Sequence, residues 1–264
     1  MKVTIPRKVD IRTEAAKYYD SNPRLLNDIP FYRKLIPSPH ISILELGCGT
    51  GRVTLSLVSY CQYIHGIDIS PAMISICHEK LVKAGIPQIK AQVTEGDITD
   101  FDFGQTFDLI IAPFRVLQNL ETDQEVDGLF RCIRRHLAPN GSCILNVFRP
   151  YLESEDLRKQ WVTTKETLSW EVPIEGGRLV CYDRRTRIDA DKLILYPELI
   201  YRRYEGETLA EESVLKIVMR CYYPNTFDEL ILEHGYAILN RWGGYEGELY
   251  GQGPELVIQF GEGS

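Results

Sequence analysis

The chain has 264 residues, 44 % apolar and 25 % charged, a composition of soluble globular type with material for one large domain or a domain carrying an inserted lobe. A net charge of −7 argues against a broad DNA-binding surface, because phosphate neutralisation needs clustered Lys and Arg. The seven cysteines (48, 61, 77, 132, 143, 181, 221) form no C-x-x-C pair and no Cys/His array at zinc spacing. They read as buried thiols in a reducing compartment, with no metal site. The first residues lack an apolar leader, and no run approaches the ~20 apolar residues of a membrane span, so a cytoplasmic protein without membrane contact is expected.

In chain order, residues 1–40 contain a short helical candidate, Thr13 to Tyr19, and the loop-like Asp20-Ser21-Asn22-Pro23. A second helical candidate then runs up to Ile36, before Pro37-Ser38-Pro39. This is read as an N-terminal helical cap. The apolar run Ile41-Ser-Ile-Leu-Glu45-Leu ends in Gly47-Cys48-Gly49-Thr50-Gly51, and Arg52 opens a helix-like segment. A strand, a glycine turn and a helix start follow one another there, which exposes bare backbone and free N–H groups to a small polar ligand.

Strand-like segments then alternate with amphipathic helical ones up to residue 148. The helices include Pro71 to Ala84 and Glu121 to His136, the pattern of βαβ units on a parallel sheet. The fold class is α/β. After Arg149-Pro150 the chain is rich in Thr, Val, Tyr and Arg, with hairpin-like breaks at 175–178, 189–192 and 205–207. Antiparallel strands are expected near 166–173, 178–188, 192–204 and 212–223. The basic cluster Arg184-Arg185-Thr186-Arg187 with Arg202-Arg203 falls on them and reads as a solvated face. A helix from Thr226 to His234, with Thr226 as N-cap and Gly235 as C-cap, precedes strands near 236–242 and 255–260. The organisation is a cap (1–40), a nucleotide-type domain (41–149 and 224–264) and an inserted antiparallel β subdomain (150–223).

The dinucleotide pattern G-x-G-x-x-G would need its third glycine at position 52, which is Arg52. Glu45, two residues before the first glycine, suits a ligand carrying an ammonium group. The spacing E-x-G-x-G-x-G resembles the motif of class I S-adenosylmethionine-dependent methyltransferases. Asp68, 17 residues after Gly51 at the end of Tyr63-Ile64-His65-Gly66-Ile67, resembles the carboxylate that accepts the ribose hydroxyls in that family. Asp97 and Ile98 resemble its adenine site. Phe107 to Ala112 and Leu137 to Val147 match its next two strands.

The resemblance implies a Rossmann-like seven-stranded methyltransferase sheet with helices on both faces. It implies S-adenosyl-L-methionine as cofactor, held by Tyr19, Glu45, Gly47, Cys48, Gly49, Gly51, Asp68, Ile69, Asp97, Ile98 and Pro113. The inserted β lobe is similar to that of small-molecule N-methyltransferases, including amino-sugar N,N-dimethyltransferases and relatives of glycine N-methyltransferase. By that likeness the acceptor is a small molecule, N-methylation is favoured over O-methylation, and a homodimer through the lobe is consistent.

Methyl transfer from a sulfonium is an in-line displacement that rests on alignment. Tyr18, Arg115 and Asn119 are the residues the resemblance and the position after strand four put at the reacting centre. Tyr18 and Tyr19 sit where relatives place tyrosines over the sulfonium or its carboxylate. Ala112-Pro113-Phe114 lacks the polar residue and second proline of nucleic-acid adenine and cytosine N-methylating enzymes. Asn119 stands where sugar N-methyltransferases often carry His or Tyr, and it cannot act as a base near neutral pH. Arg115 offers a planar fork suited to an anionic acceptor. The competing readings are a methyltransferase acting on protein or RNA and a non-catalytic regulator that binds the cofactor.

Overall fold

A computed structural model describes residues 16–23 and 27–263. In chain order its helices are α1 (Ala16–Tyr19), α2 (Ile29–Lys34), α3 (Arg52–Leu57), α4 (Pro71–Lys83), α5 (Asp123–His136), α6 (Ser154–Gln160) and α7 (Pro224–Glu233). Its strands are β1 (Ser42–Leu46), β2 (Tyr63–Asp68), β3 (Ala91–Glu95), β4 (Phe107–Ala112), β5 (Leu137–Phe148), β6 (Thr163–Ile174), β7 (Gly177–Asp189), β8 (Ile194–Glu205), β9 (Thr208–Lys216), β10 (Met219–Arg220), β11 (Tyr236–Trp242) and β12 (Glu255–Glu262). Of the first helical candidate, residues 13–15 lie outside the described residues. The described chain divides into two units, one of residues 27–151 with 221–263, the other of 16–23 with 152–220. The segment expected as a single cap is thus shared between them.

The first unit is built on a sheet of order β11-β12-β5-β4-β1-β2-β3. Strands β1 to β5 run parallel, and at one edge β12 pairs antiparallel with β5 and β11 antiparallel with β12, so that β12 alone runs against the rest. Both faces are covered, so successive residues of β1 go to different cores. Leu44 and Leu46 pack with Ile110 and Leu145 on one side, and Ile43 packs with Ile64, Ile111 and Ile144 on the other. Near-continuous apolar strands follow from burial on both faces. The strand order reverses at β1 and β4, which opens a crevice beyond their carboxyl ends.

Local chemistry fixes the helices. Thr122 caps α5 by accepting the Glu125 N–H at 3.2 Å, and the Glu125 carboxylate accepts the Thr122 N–H at 2.8 Å, a reciprocal capping box. Helix α7 begins two residues before its expected cap. Thr226 is an internal first-turn residue whose hydroxyl accepts the Tyr223 N–H at 3.0 Å. Gly235 ends the helix at φ +78°, as expected of a left-handed C-terminal glycine.

In the second unit β6, β7, β8 and β9 are antiparallel neighbours, with β10 also on β8. The strand expected over 212–223 is divided into β9 and β10. At the break the Ile217 N–H donates to the Pro197 carbonyl at 2.9 Å, and proline has no N–H to return. Tyr18, Trp170, Leu179, Cys181 and Tyr201 form this unit's core. The basic cluster is paired along the sheet: Arg184 with Glu198 at 2.7 Å, and Arg202 with Glu166 at 2.8 Å and Glu212 at 2.7 Å. No helix among the described residues is long and apolar enough to cross a membrane.

Candidate functional site

The carboxyl ends of β1 and β2 meet in the glycine turn. The Gly47 and Cys48 N–H groups donate to the Ile67 carbonyl at 2.8 and 3.0 Å, which ties the turn to β2. Its glycines have different tasks. A Cβ on Gly51 (φ +83°) would lie 2.3 Å from Cys77 Sγ, so this residue lets α3 and α4 close on each other. One on Gly47 would meet Val116 Cγ2 at 2.6 Å. A Cβ on Gly49 (φ +54°) would meet nothing within 4 Å. Its bare backbone borders open space, which is what a ligand lying against the turn requires.

Asp68 is 3 % exposed at the end of β2. One carboxylate oxygen accepts the Gly49 N–H at 2.9 Å and the other the Ser70 N–H at 2.9 Å. Each oxygen retains a second lone pair for a ligand hydroxyl. The residue expected to hold a ribose therefore also holds the turn. Ile69 is half-buried beside it, and Cys48 is buried in the turn.

Glu45 takes the next inward position of β1, on the face covered by α3. It is 2 % exposed and accepts a hydrogen bond from the Thr54 hydroxyl. Burial pushes its carboxyl up to about 8, against the opposing pull of the Thr54 bond and the Arg52 charge. An ammonium group brought beside it would favour the ionised form.

Arg52 is itself paired with Asp28, a fully buried carboxylate just before α2, with the second guanidinium nitrogen at 2.8 Å. Loss of this charged hydrogen-bonded pair is expected to make Asp28→Ala less stable by about 1.5–3 kcal/mol. Denaturant unfolding measures this, and a loss below about 1 kcal/mol would show that water replaces the pair.

At the end of β3, Asp97 is exposed and uses one oxygen on the Thr99 N–H and hydroxyl at 2.8 and 2.7 Å. Ile98 is 9 % exposed and packs in the core with Phe101 and Val126.

Beyond β4, Pro113 is buried, and Phe114 and Arg115 are successive left-handed residues at φ +59° and +67°. Such a conformation costs about 1–2 kcal/mol per non-glycine residue. The Arg115 guanidinium grips Glu255 of β12, with Nε 3.2 Å from each carboxylate oxygen and a further bond from the terminal nitrogen. Glu255 is 1 % exposed. The fork reserved for an acceptor anion is therefore filled from within the chain. Asn119 donates from its side-chain amide to the Arg115 carbonyl at 3.2 Å, a local brace of the 3₁₀ turn Val116–Asn119.

Tyr18 belongs to the second unit. Its ring stacks on Tyr201 at 5.9 Å, and its hydroxyl donates to Glu211 at 2.6 Å. Burial, and then this bond, push the phenol above its usual range. It is a buried tyrosine of this unit with an engaged hydroxyl. Tyr19 is half-buried in the same short helix.

Sequence reasoning passed over Asp28, Asn146 and Glu255, all buried and polar. The available signal was an acidic residue directly ahead of an apolar run, Glu255 before Leu256-Val257-Ile258. Among the described residues no group of three or more His, Cys, Asp and Glu side chains gathers as a metal would need.

Residues 43–141 match the model of a family described as a methyltransferase domain. The putative methyltransferase YqeM of Bacillus subtilis is 33 % identical over 113 residues, which cover 43 % of this chain and 44 % of that protein. The dTDP-4-amino-2,3,4,6-tetradeoxy-D-glucose N,N-dimethyltransferase of Saccharopolyspora spinosa is 29 % identical over 104 residues, 39 % of each chain. The chain thus spans less than half the length of these relatives. Among solved structures, the CcbJ methyltransferase from Streptomyces caelestis superposes with a TM-score of 0.76 at 20 % identity, covering 98 % of this chain and 100 % of that one.

Proposed function

We propose that this chain, which carries a methyltransferase domain over residues 43–141 on the sheet of the S-adenosylmethionine-dependent methyltransferases, is an enzyme that methylates a small-molecule acceptor, at nitrogen in preference to oxygen. The observation that carries the cofactor reading is the combination of an open Gly49 backbone, the buried Asp68 carboxylate and the buried Glu45 carboxyl on one crevice. The preference for nitrogen leans on relatives such as the amino-sugar N,N-dimethyltransferase.

When bound, S-adenosylmethionine supplies an electrophilic methyl group on a sulfonium. Asp68 would receive the ribose hydroxyls, Glu45 the ammonium, and Gly49 would let the ligand lie against backbone. The chain's contribution is alignment and exclusion of water, which together can lower a barrier by roughly 7–11 kcal/mol. Asn119 has no basic lone pair to offer, so an amine acceptor that sheds its proton to solvent fits better than a hydroxyl that must be ionised first. With Arg115 paired to Glu255, the acceptor need not be anionic.

The test begins with calorimetric titration of S-adenosylmethionine and of S-adenosylhomocysteine, with NAD as control. A panel of amino sugars and other small amines follows, with hydroxylated analogues beside them, read by mass spectrometry for added methyl groups. Micromolar binding with methylated amines supports the reading. Tight cofactor binding with no small-molecule product, but with labelled RNA or protein, would overturn the acceptor assignment. No cofactor binding would overturn the activity.

Asp68→Ala is expected to weaken cofactor binding through loss of two charge-assisted contacts, about 1.5–3 kcal/mol each at most. It should also lower the melting temperature, because the Gly49 and Ser70 N–H groups lose their acceptor. Unchanged affinity in a folded variant would remove Asp68 from the site.

A further inference from the structure

The 3₁₀ turn after β4 is held by residues that make no contact with the glycine turn themselves. The Arg115 N–H donates to Asn146 Oδ1 at 3.0 Å, Asn146 Nδ2 donates to Glu255 Oε2 at 3.0 Å, and Glu255 receives the Arg115 guanidinium. The three side chains close a ring across the β4 loop, β5 and β12, and Asn146 and Glu255 are both essentially buried. The ring fastens the chain at the second of its two left-handed residues, a conformation that surrounding contacts must enforce. The next residue, Val116, rests on Gly47 so closely that a Cβ there would collide with it. The Gln118 side chain anchors the far end of the turn by accepting the Phe148 N–H at 2.8 Å. A shift of Arg115 would therefore disturb the packing of Val116 on Gly47, which together with the Ile67 and Asp68 bonds shapes the backbone that borders the cofactor crevice.

From this geometry we infer that Glu255 and Asn146 are positioning residues for cofactor binding, acting through Arg115 and Val116 on the glycine turn. The inference rests on the cofactor reading given above. Buried polar groups that satisfy one another completely fix a single arrangement, whereas a half-satisfied network does not. A carboxylate 140 residues from its arginine in sequence, with no ligand of its own, thus sets the geometry of the site.

The test is titration of S-adenosylhomocysteine into the wild-type protein and into Glu255→Ala, Glu255→Gln, Asn146→Ala, Arg115→Ala and the Arg115→Ala/Glu255→Ala double variant. Asp108→Ala serves as control: it removes the Asp108 bonds to the Ser42 N–H and hydroxyl at the opposite end of the sheet. Glu255→Ala is expected to weaken affinity at least about tenfold, the order of effect of displacing a positioning group. Glu255→Gln, which keeps shape and one acceptor, should restore part of it. The double variant should be no worse than the weaker single one. Asp108→Ala should lose stability and keep its affinity. Should Glu255→Ala fail to fold, Asn146→Ala carries the same expectation with a smaller loss. Wild-type affinity in folded Glu255→Ala or Asn146→Ala overturns the inference alone, as does an equal affinity loss in Asp108→Ala. Absence of binding by the wild-type protein overturns the cofactor reading, and this inference with it.

Discussion

Glu45→Gln is expected to be more stable than the wild-type protein at pH 8 and to bind S-adenosylmethionine more weakly at every pH. Burial raises the folded-state value of Glu45 to about 8, against about 4.3 in an unfolded chain. The folded state therefore holds a proton that the unfolded state has released. That contribution to stability is fully present below about pH 4.3 and is lost as pH rises through about 8. Within the window each pH unit removes up to about 1.4 kcal/mol, so the expected loss by pH 8 is a few kcal/mol. Glutamine carries no such proton, and its amide oxygen can still accept the Thr54 hydroxyl.

His65 does not blur the comparison. Burial lowers it to about 4, so its contribution is present above its unfolded value of about 6.5 and is lost only as pH falls toward 4. The interval from pH 6.5 to 8 thus belongs to Glu45. For the ligand the sign reverses. The ammonium group favours ionised Glu45, so binding near pH 7 should release a proton, seen as different calorimetric enthalpies in two buffers of unlike ionisation heat. A buffer-independent enthalpy, or equal pH profiles of stability for the variant and wild type, would sink the assignment.

The second large effect separates two glycines of one turn. Gly51→Ala should destabilise by roughly 2–4 kcal/mol, because its methyl group would stand 2.3 Å from Cys77 Sγ at a left-handed φ. Adding Cys77→Ala should recover part of that loss, since the remaining close neighbour, Leu55 Cδ1 at 2.8 Å, ends a flexible side chain. Gly49→Ala should cost only the backbone term of a left-handed residue, about 1–2 kcal/mol. Its methyl group would project into open space, and cofactor affinity should fall by about tenfold or more. Equal affinity in Gly49→Ala and wild type would mean that the ligand does not lie against this backbone. Equal stability in Gly51→Ala would mean that α3 and α4 separate without cost.

What could be read from the sequence was local. The run from Ile43 to Gly51 and the end of β2 at Asp68 are adjacent or nearly so in the chain, and alternating strands and helices fix a parallel sheet from pattern alone. The helix cap was placed three residues late because Pro224 already has helical φ and Thr226 can serve from inside the turn. The break at Ile217 depends on Pro197 across the ladder, which no window around 212–223 contains. Arg115 illustrates the general limit. Its residue type was informative, but whether a guanidinium faces a ligand or a buried carboxylate depends on a partner 140 positions away. The partners of Tyr18, Glu211 and Tyr201, are likewise far off in sequence.

The double duty of Asp68 constrains any redesign of ligand preference. In nucleotide-binding folds of this kind the acid at the end of the second strand reads the ribose, which makes it the obvious place to alter ligand choice. Here that acid also secures Gly49 and Ser70, so changing it would alter the scaffold before it altered the choice of ligand. Asp97, exposed and with its carboxylate on its neighbour Thr99, is the position from which selectivity can be explored without disturbing the loop that all ligands of this crevice would share.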